Sequence, residues 1–496
     1  SGATTTSADI SSMPTKSITA IVTSAGLSTD GVSMRSSRKK ATAYYKDGVR
    51  IGDVVEEISG EHTATTYEEL PESGQLTAGE WNDLHNWKDW MELLKNEDYS
   101  IMTNRFEIYP TQRYSVLAIN NDNNVLVNMP VELIDKNGTT IWKSYTDNAG
   151  KAELWLNAMV KGQTADKIKI YDGKKWKTIN RIKPINEGTN TIILDNDCYS
   201  PNMVDIVFAV DATSSMSDEI FYLKSELLDV IDRIKDTNED IDFQVGSIFY
   251  RDTKDDYLTK VSKLSNEIAK TIEFVGEQNA GGGGDFPEAV DEALKETLKI
   301  NWRKDALKIA FLILDAPPHE DEKTMALIRS QIQEAAARGI KLIPVTASGI
   351  NRETEFLMKF MAMLTNGTYV FITDHSGIGS GHLAPVVEDY EVEKLNDCLV
   401  RLINQYSKSY SCDVDQSVSE VSVDVFPNPC TQYINVKTDN TPSKIKILSA
   451  NGMTVKSISP NENNTRIELN DLINGIYTVI VYIDNQMVSK QVILLK

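Results

Sequence analysis

The chain has 496 residues, with 51 Lys or Arg against 72 Asp or Glu, for a net charge of −21. That length asks for three or four domains, and 41% hydrophobic residues supply ordinary cores for them. The acidic balance argues against nucleic acid or an anionic membrane as the main partner, since both demand a basic footprint.

No stretch reaches the ~18 consecutive apolar residues of a transmembrane segment. The N-terminus lacks the charged-then-apolar pattern of a signal peptide, as either a processed or a cytosolic chain would. Residues 1–42, rich in Ser, Thr and Ala, read as a flexible arm. Residues 43–104 form a mixed region. Within it Thr77-Ala-Gly-Glu80 has the form of a capping box, and Leu84, Trp87, Met91 and Leu94 follow at helical spacing. This predicts a Trp-rich helix over 77–95, with Trp81 and Trp90 widening a stripe that packs on a neighbour. From residue 105 to 197 the period changes to two. Short strands are expected around Tyr114–Ile119, Val131–Ile134, Ile141–Tyr145 and Ala152–Trp155, with turns at Asn137-Gly138 and Asn148-Ala-Gly150.

Residues 198–410 alternate strand and helix. Strands are expected at 204–210, 242–249, 307–314, 341–347 and 368–373, and helices at 217–235, 264–275, 287–299, 322–338, 352–365 and 392–408. This pattern predicts a doubly wound, Rossmann-like sheet with helices on both faces. Residues 411–422 read as a polar linker, and 423–496 as a second small β-sandwich. The fold class is therefore multidomain α/β plus all-β, an α/β domain flanked by two sandwiches. Of the four cysteines, Cys198 and Cys412 bracket the central domain, whose ends are expected to lie close together, so they are candidates for a disulfide. Cys398 sits at an apolar helix position and is expected as a buried thiol.

Three segments carry the chemistry. Asp211-Ala-Thr-Ser-Ser215 follows the apolar run Val204–Val210. Gly281-Gly-Gly-Gly-Asp-Phe-Pro287 opens a helix. Leu314-Asp-Ala-Pro-Pro-His319 follows the apolar run Ile309–Leu314. In a parallel sheet, ligands bind outside the carboxyl ends of the strands, where these segments converge. Asp211, Thr213, Ser215, Asp285 and Asp315 then offer only hard oxygen donors. Those suit a divalent cation, Mg²⁺ first and Ca²⁺ or Mn²⁺ next, and not zinc or copper. A weaker alternative makes Ser215 or Ser217 a helix cap.

On these motifs the central domain resembles the von Willebrand factor type A domain. That family carries a metal-ion-dependent adhesion site with the pattern Asp-x-Ser-x-Ser, a Thr or Asp from a second loop and an Asp from a third. Asp211, Thr213 and Ser215 match the first element with Thr at its centre, Asp285 takes the second place and Asp315 the third. The resemblance implies adhesion to a protein ligand at the metal face, and in some members a movement of the last helix, here 392–408. Asp285 puts three negative charges around the ion, which implies firmer metal retention and a weaker need for an acidic partner. On the segments Val127–Leu133 and Asp147–Leu154, residues 105–197 resemble the carboxypeptidase regulatory-like sandwich, which implies a spacer or stalk without catalytic residues.

An enzyme is not expected. A metal-assisted hydrolase with His319 as base is the rival, but no two-metal ligand set, nucleophile elbow or Walker loop is present in the sequence, and a loop-capping hydrogen bond is the expected role of His319. His375 and His382 flank Ser376-Gly-Ile-Gly-Ser-Gly381, which reads as an exposed loop. A structural component of a surface assembly is the other rival.

The last segment begins Phe426-Pro-Asn-Pro429 and continues through Ile434-Asn-Val436, Asn451-Gly452 and Gly475-Ile-Tyr477 to Lys490-Gln-Val-Ile493. It is similar to the C-terminal sorting domain of type IX secretion. That implies recognition of residues 423–496 by the secretion machinery and export to the exterior of a Gram-negative outer membrane. In many members it also implies cleavage with attachment to lipopolysaccharide. A removed signal peptide and permitted disulfides follow from that address.

Overall fold

The computed structural model describes residues 16–25, 36–46, 49–59, 71–197, 201–237, 240–284, 286–379, 381–387, 390–407, 423–438, 440–448, 454–472, 474–483 and 486–496. Cys198, Cys412 and the 411–422 linker lie outside the described residues. Strands β1 (Lys16–Ala25), β2 (Ser36–Lys46) and β3 (Val49–Ser59) form an antiparallel sheet where a flexible arm over 1–42 is expected.

The expected helix over 77–95 is corrected. Thr77–Trp81 is a strand, β4, and helix α1 begins only at Trp87 and runs to Leu93. β4 pairs antiparallel with a strand almost 300 residues away (Tyr369↔Trp81, Ile372↔Ala78), and this long-range pairing overrides the local helix signal. Leu76 and Ala78 are fully buried. The buried Glu226 accepts the amides of Gly74, Gln75 and Leu76 at 2.7, 2.8 and 3.0 Å, which ties the approach to β4 onto the central domain. A short helix α2 (Glu97–Phe106) follows. Trp90 and Trp87 do pack as expected, Trp90 on Phe356 and Phe360 and Trp87 on Trp155.

The first sandwich holds β5 (Gln112–Asn120), β6 (Pro130–Asp135), β7 (Thr140–Tyr145), β8 (Lys151–Leu156), β9 (Ala165–Tyr171), β10 (Trp176–Ile179) and β11 (Asn190–Leu194). Its sheets run β10-β9-β6-β7 and β11-β5-β8.

The central domain follows the strand–helix alternation. β12 (Met203–Asp211) leads to α3 (Ile220–Thr237). β13 (Asp242–Tyr250) and β14 (Thr259–Ser265) lead to α4 (Ile268–Gly276) and α5 (Val290–Lys299). β15 (Leu307–Leu314), α6 (Glu322–Ala337), β16 (Ile340–Thr346), α7 (Arg352–Leu364), β17 (Tyr369–Ile372), β18 (Val392–Lys394) and α8 (Leu395–Ser407) complete it. The sheet order is β14-β13-β12-β15-β16-β17-β4-β18, with β13, β12, β15, β16 and β17 parallel. Side chains of β12 alternate between two cores. Ile206, Phe208 and Val210 pack with Leu223, Leu227, Leu399 and Ile403 of α3 and α8, while Val207 and Ala209 share a core with Val290, Ile328 and Phe360 of α5, α6 and α7. Each such large side chain contributes about 1.5–3 kcal/mol by its burial. Cys398 on α8 is buried and free.

The sandwich meets the edge of this sheet opposite the carboxyl ends of the parallel strands. Asp147 accepts from Asn366 Nδ2 at 3.0 Å and from Lys341 Nζ at 3.3 Å, and Asn148 Nδ2 donates to the Gln405 carbonyl near the end of α8 at 2.9 Å. Among the described residues no helix is long and apolar enough to cross a membrane. The last domain holds β19 (Val423–Phe426), β20 (Tyr433–Thr438), β21 (Lys444–Leu448), β22 (Thr454–Ile458), β23 (Asn464–Glu468), β24 (Gly475–Ile483) and β25 (Gln486–Leu494) in two sheets, closed over Ile434, Val436, Ile445, Ile447 and Val479.

Candidate functional site

β12 and β15 are neighbours in the sheet and end together, so Asp211 closes one strand and Asp315 follows the other. The turn after β12 is short and internally bonded. Thr213 gives both its amide and its hydroxyl to Asp211 Oδ1, at 2.9 and 2.7 Å, and its hydroxyl lies 3.1 Å from Ser215 Oγ. Three backbone bonds stitch this turn to its neighbours: Ala212 N to Tyr250 O at 2.9 Å, Gly281 N to Ala212 O at 3.0 Å and Ser214 N to Gly282 O at 3.3 Å. The structure thus brings Asp211, Thr213, Ser215 and Asp315 together. Asp285 lies outside the described residues.

The glycine run is built for close approach. Gly282 and Gly283 have φ of +76° and +71°. A Cβ on Gly282 would stand 2.3 Å from the Asp255 carboxyl carbon, and one on Gly283 would stand 3.3 Å from Thr213 Cβ and 3.2 Å from Glu288 Oε1. Asp255 in turn accepts the Gly283 amide at 2.9 and 2.8 Å on its two oxygens.

Glu288 was missed from the sequence, where the Pro287-Glu288 pair reads as the first turn of a helix. Helix α5 starts only at Val290. Before it, Glu288 N bonds Pro317 O at 2.9 Å in a short parallel bridge to the Asp315 loop. That turns the Glu288 side chain inward, where it is 2% exposed.

These carboxyls lack the partners that burial demands. Asp315 Oδ1 and Glu288 Oε2 are buried without a hydrogen-bond partner, and Asp211 Oδ2, buried and without a well-formed hydrogen bond, has only the Tyr250 hydroxyl beside it. Burial pushes Asp211 up to about 6, against the opposing bonds from Thr213 and from the Tyr250 hydroxyl. Burial and then the Asp211 charge push Asp315 up to about 7, opposed by a bond from Ser215. Glu288 rises to about 9, through burial and then through Asp211, Asp252, Asp255 and Asp315. Several carboxyls held together in low dielectric cannot all ionise unless a cation joins them. The donor set, carboxylates with two hydroxyls, fits a hard divalent ion. Among the described residues no three His, Cys, Asp or Glu side chains converge in a metal-holding group.

His319 Nε2 lies 2.7 Å from Asp252 Oδ1 on the neighbouring loop, which matches the loop-capping role expected of it. The described residues of the loop 376–381 are exposed or half-buried, in line with expectation, but the His382 that follows sits between Glu219 Oε1 and Asp374 Oδ1, at 2.8 Å from each, with its side chain only 4% exposed. Glu219 also accepts the Ser348 amide at 3.0 Å.

Residues 205–378 match the von Willebrand factor A domain family, and residues 424–495 match the secretion system C-terminal sorting domain family. Among curated proteins, an alpha-protein kinase vwkA of Dictyostelium discoideum is 30% identical over 161 residues, covering 32% of this chain and 25% of that protein. A putative ariadne-like RING finger protein R811 of Acanthamoeba polyphaga mimivirus is 33% identical over 117 residues, covering 24% of this chain and 11% of that protein. The chain thus spans a quarter or less of the length of these curated relatives. A solved structure, the von Willebrand factor type A protein from Catenulispora acidiphila, is similar at 12% identity and a TM-score of 0.30, covering 59% of this chain and 66% of that one. The chain therefore carries a von Willebrand factor A domain and, behind it, a sorting domain that directs it through type IX secretion to the cell surface or beyond.

Proposed function

We propose that this is a surface-displayed binding protein whose central domain holds a divalent cation, Mg²⁺ in the first place, and engages a protein ligand there. Asp211, Thr213, Ser215, Asp285 and Asp315 are the proposed ligand set, with Glu288 beside them. The observation that carries this reading is the pair of buried carboxylate oxygens, Asp211 Oδ2 and Asp315 Oδ1, that lack a well-formed hydrogen bond at adjoining strand ends. A bound cation supplies a positive centre on which an acidic group of a partner can be held. This chain's own part is to fix the donors: Thr213 orients Asp211, and the glycines let the second loop close over it. The first sandwich, in the manner of a carboxypeptidase regulatory-like module, serves as a spacer. Cleavage of the sorting domain with attachment to lipopolysaccharide completes the proposed surface display.

The reading is of a binding module and not of an enzyme. Among the described residues the His319–Asp252 pair is the one feature a hydrolase would use, as an imidazole oriented by a carboxylate. The kinase name of the Dictyostelium relative belongs to a protein of which three quarters lies outside the match. The test is capture of envelope or host proteins on the purified chain with Mg²⁺, with chelator, and with Asp211→Ala. Partners retained only by the wild type with metal support adhesion. Partners retained equally under all three conditions support a scaffold role instead.

A further inference from the structure

The first sandwich carries a face whose charge opposes that of the chain. Residues 161–183 hold eight Lys or Arg against two Asp in a protein of net charge −21, and of these Lys167 and Lys169 share the face, with Lys174 and Lys175 in the adjoining turn, while Lys161 lies over the Tyr109 ring. Strand alternation sets the face. Ile168 and Ile170 of β9 are fully buried, so Lys167, Lys169 and Tyr171 stand on the other side. Register places Trp176 of the edge strand β10 beside Tyr171, and Thr178 beside Lys169. The Tyr171 and Trp176 rings lie 5.4 Å apart at 51°, and Trp176 is 43% exposed.

The acids nearby are already engaged. Asp172 accepts the amides of Lys174 and Lys175 at 2.9 and 2.7 Å and so shapes the β9–β10 turn. Asp166 pairs with Lys167 at 3.2 Å, and Glu132 with Lys143 at 3.1 Å. Lys169, Lys174 and Lys175 form no salt bridge among the described residues. A basic row flanked by an exposed aromatic pair, on an edge strand, is thus left facing solvent.

We propose that this face binds an anionic polysaccharide, through carboxylate or sulfate groups on the lysines and pyranose rings on Trp176 and Tyr171. The electron-rich faces of these aromatic rings accept the polarised C–H bonds of a sugar face. The sorting domain carries the chain outside the cell, where acidic glycans are the polyanions such a face meets. The first sandwich is then more than a spacer.

The test uses the full chain in chelator, so that the metal site takes no part, against immobilised alginate, heparin, neutral dextran and duplex DNA. We expect binding to alginate or heparin that weakens as NaCl rises, because a linear polyanion releases counterions when bound. The double variant Lys174→Glu, Lys175→Glu should bind about tenfold or more weakly, as reversed charges would require. Trp176→Ala should bind several-fold more weakly with an unchanged salt slope. Lys174 and Lys175 are exposed and contribute only backbone groups to the turn, so the charge variant should melt with the wild type. No binding to either acidic glycan, equal binding by the charge variant, equal retention on dextran, or tighter binding to DNA than to both glycans would each overturn the proposal.

Discussion

Thr213 grips Asp211 twice on one oxygen, by amide and by hydroxyl, and leaves the other carboxylate oxygen buried with only the Tyr250 hydroxyl beside it. An oriented but unfinished carboxylate of this kind is costly unless something completes it. Thr213→Val keeps the shape and removes the hydroxyl. Its Mg²⁺ affinity is expected to fall about 10- to 100-fold, as for other groups that orient or complete a metal site, while Thr213→Ser stays near wild type. Equal affinities in titration of the two variants would contradict the role given to the hydroxyl.

The raised acids set a pH dependence. Asp211, Asp315 and Glu288 lie at about 6, about 7 and about 9, each above the ordinary carboxylate range. The metal-free native chain therefore keeps protons that the unfolded chain has already lost. Stability from these groups is full at low pH and is lost as pH rises through the native values. The metal-free melting temperature should fall between about pH 5 and about pH 9, and saturating Mg²⁺ should flatten that fall. A metal-free melting temperature that stays level or rises over this range would count against the clustered carboxyls.

Glu288→Gln isolates the most raised of the three. Near pH 5 the wild-type side chain is neutral and the substitution is close to isosteric. Near pH 9 it is half ionised without a partner. The metal-free variant should melt with the wild type at about pH 5 and above it at about pH 9. The same melting temperature for both at the higher pH would show that Glu288 is not confined as described.

Asp147 joins the first sandwich to the central domain through Lys341 and Asn366. Asp147→Ala leaves the Lys341 ammonium, only 9% exposed, without its carboxylate. A loss of about 1–3 kcal/mol is expected in denaturant unfolding, with metal affinity unchanged because the contact lies at the opposite end of the sheet. A fall in metal affinity as large as the fall in stability would instead tie the sandwich to the site.

Much of this was legible in the chain and some was not, for physical reasons. The runs Val204–Val210 and Ile309–Leu314 are apolar on both faces, which only a doubly covered strand tolerates, and they place Asp211 and Asp315 at neighbouring strand ends. Thr77–Trp81 misled because its capping-box residues are real but local. Its partners lie at Tyr369–Ile372 and Val392–Lys394, and only the fold brings them near. Glu288 was hidden for a related reason. Pro followed by Glu suits a helix start, and the bridge to Pro318 that turns the side chain inward has no sequence signature. The burial of His382 likewise depends on Glu219, 163 residues away.

The most direct test of the central claim is calorimetric titration of Mg²⁺ into the metal-stripped full chain, beside Asp211→Ala. The account predicts a binding isotherm for the wild type, accompanied by proton release near neutral pH, and none at that site for the variant. A wild type that takes up no Mg²⁺, Ca²⁺ or Mn²⁺, or a variant that binds as well as the wild type, would contradict it.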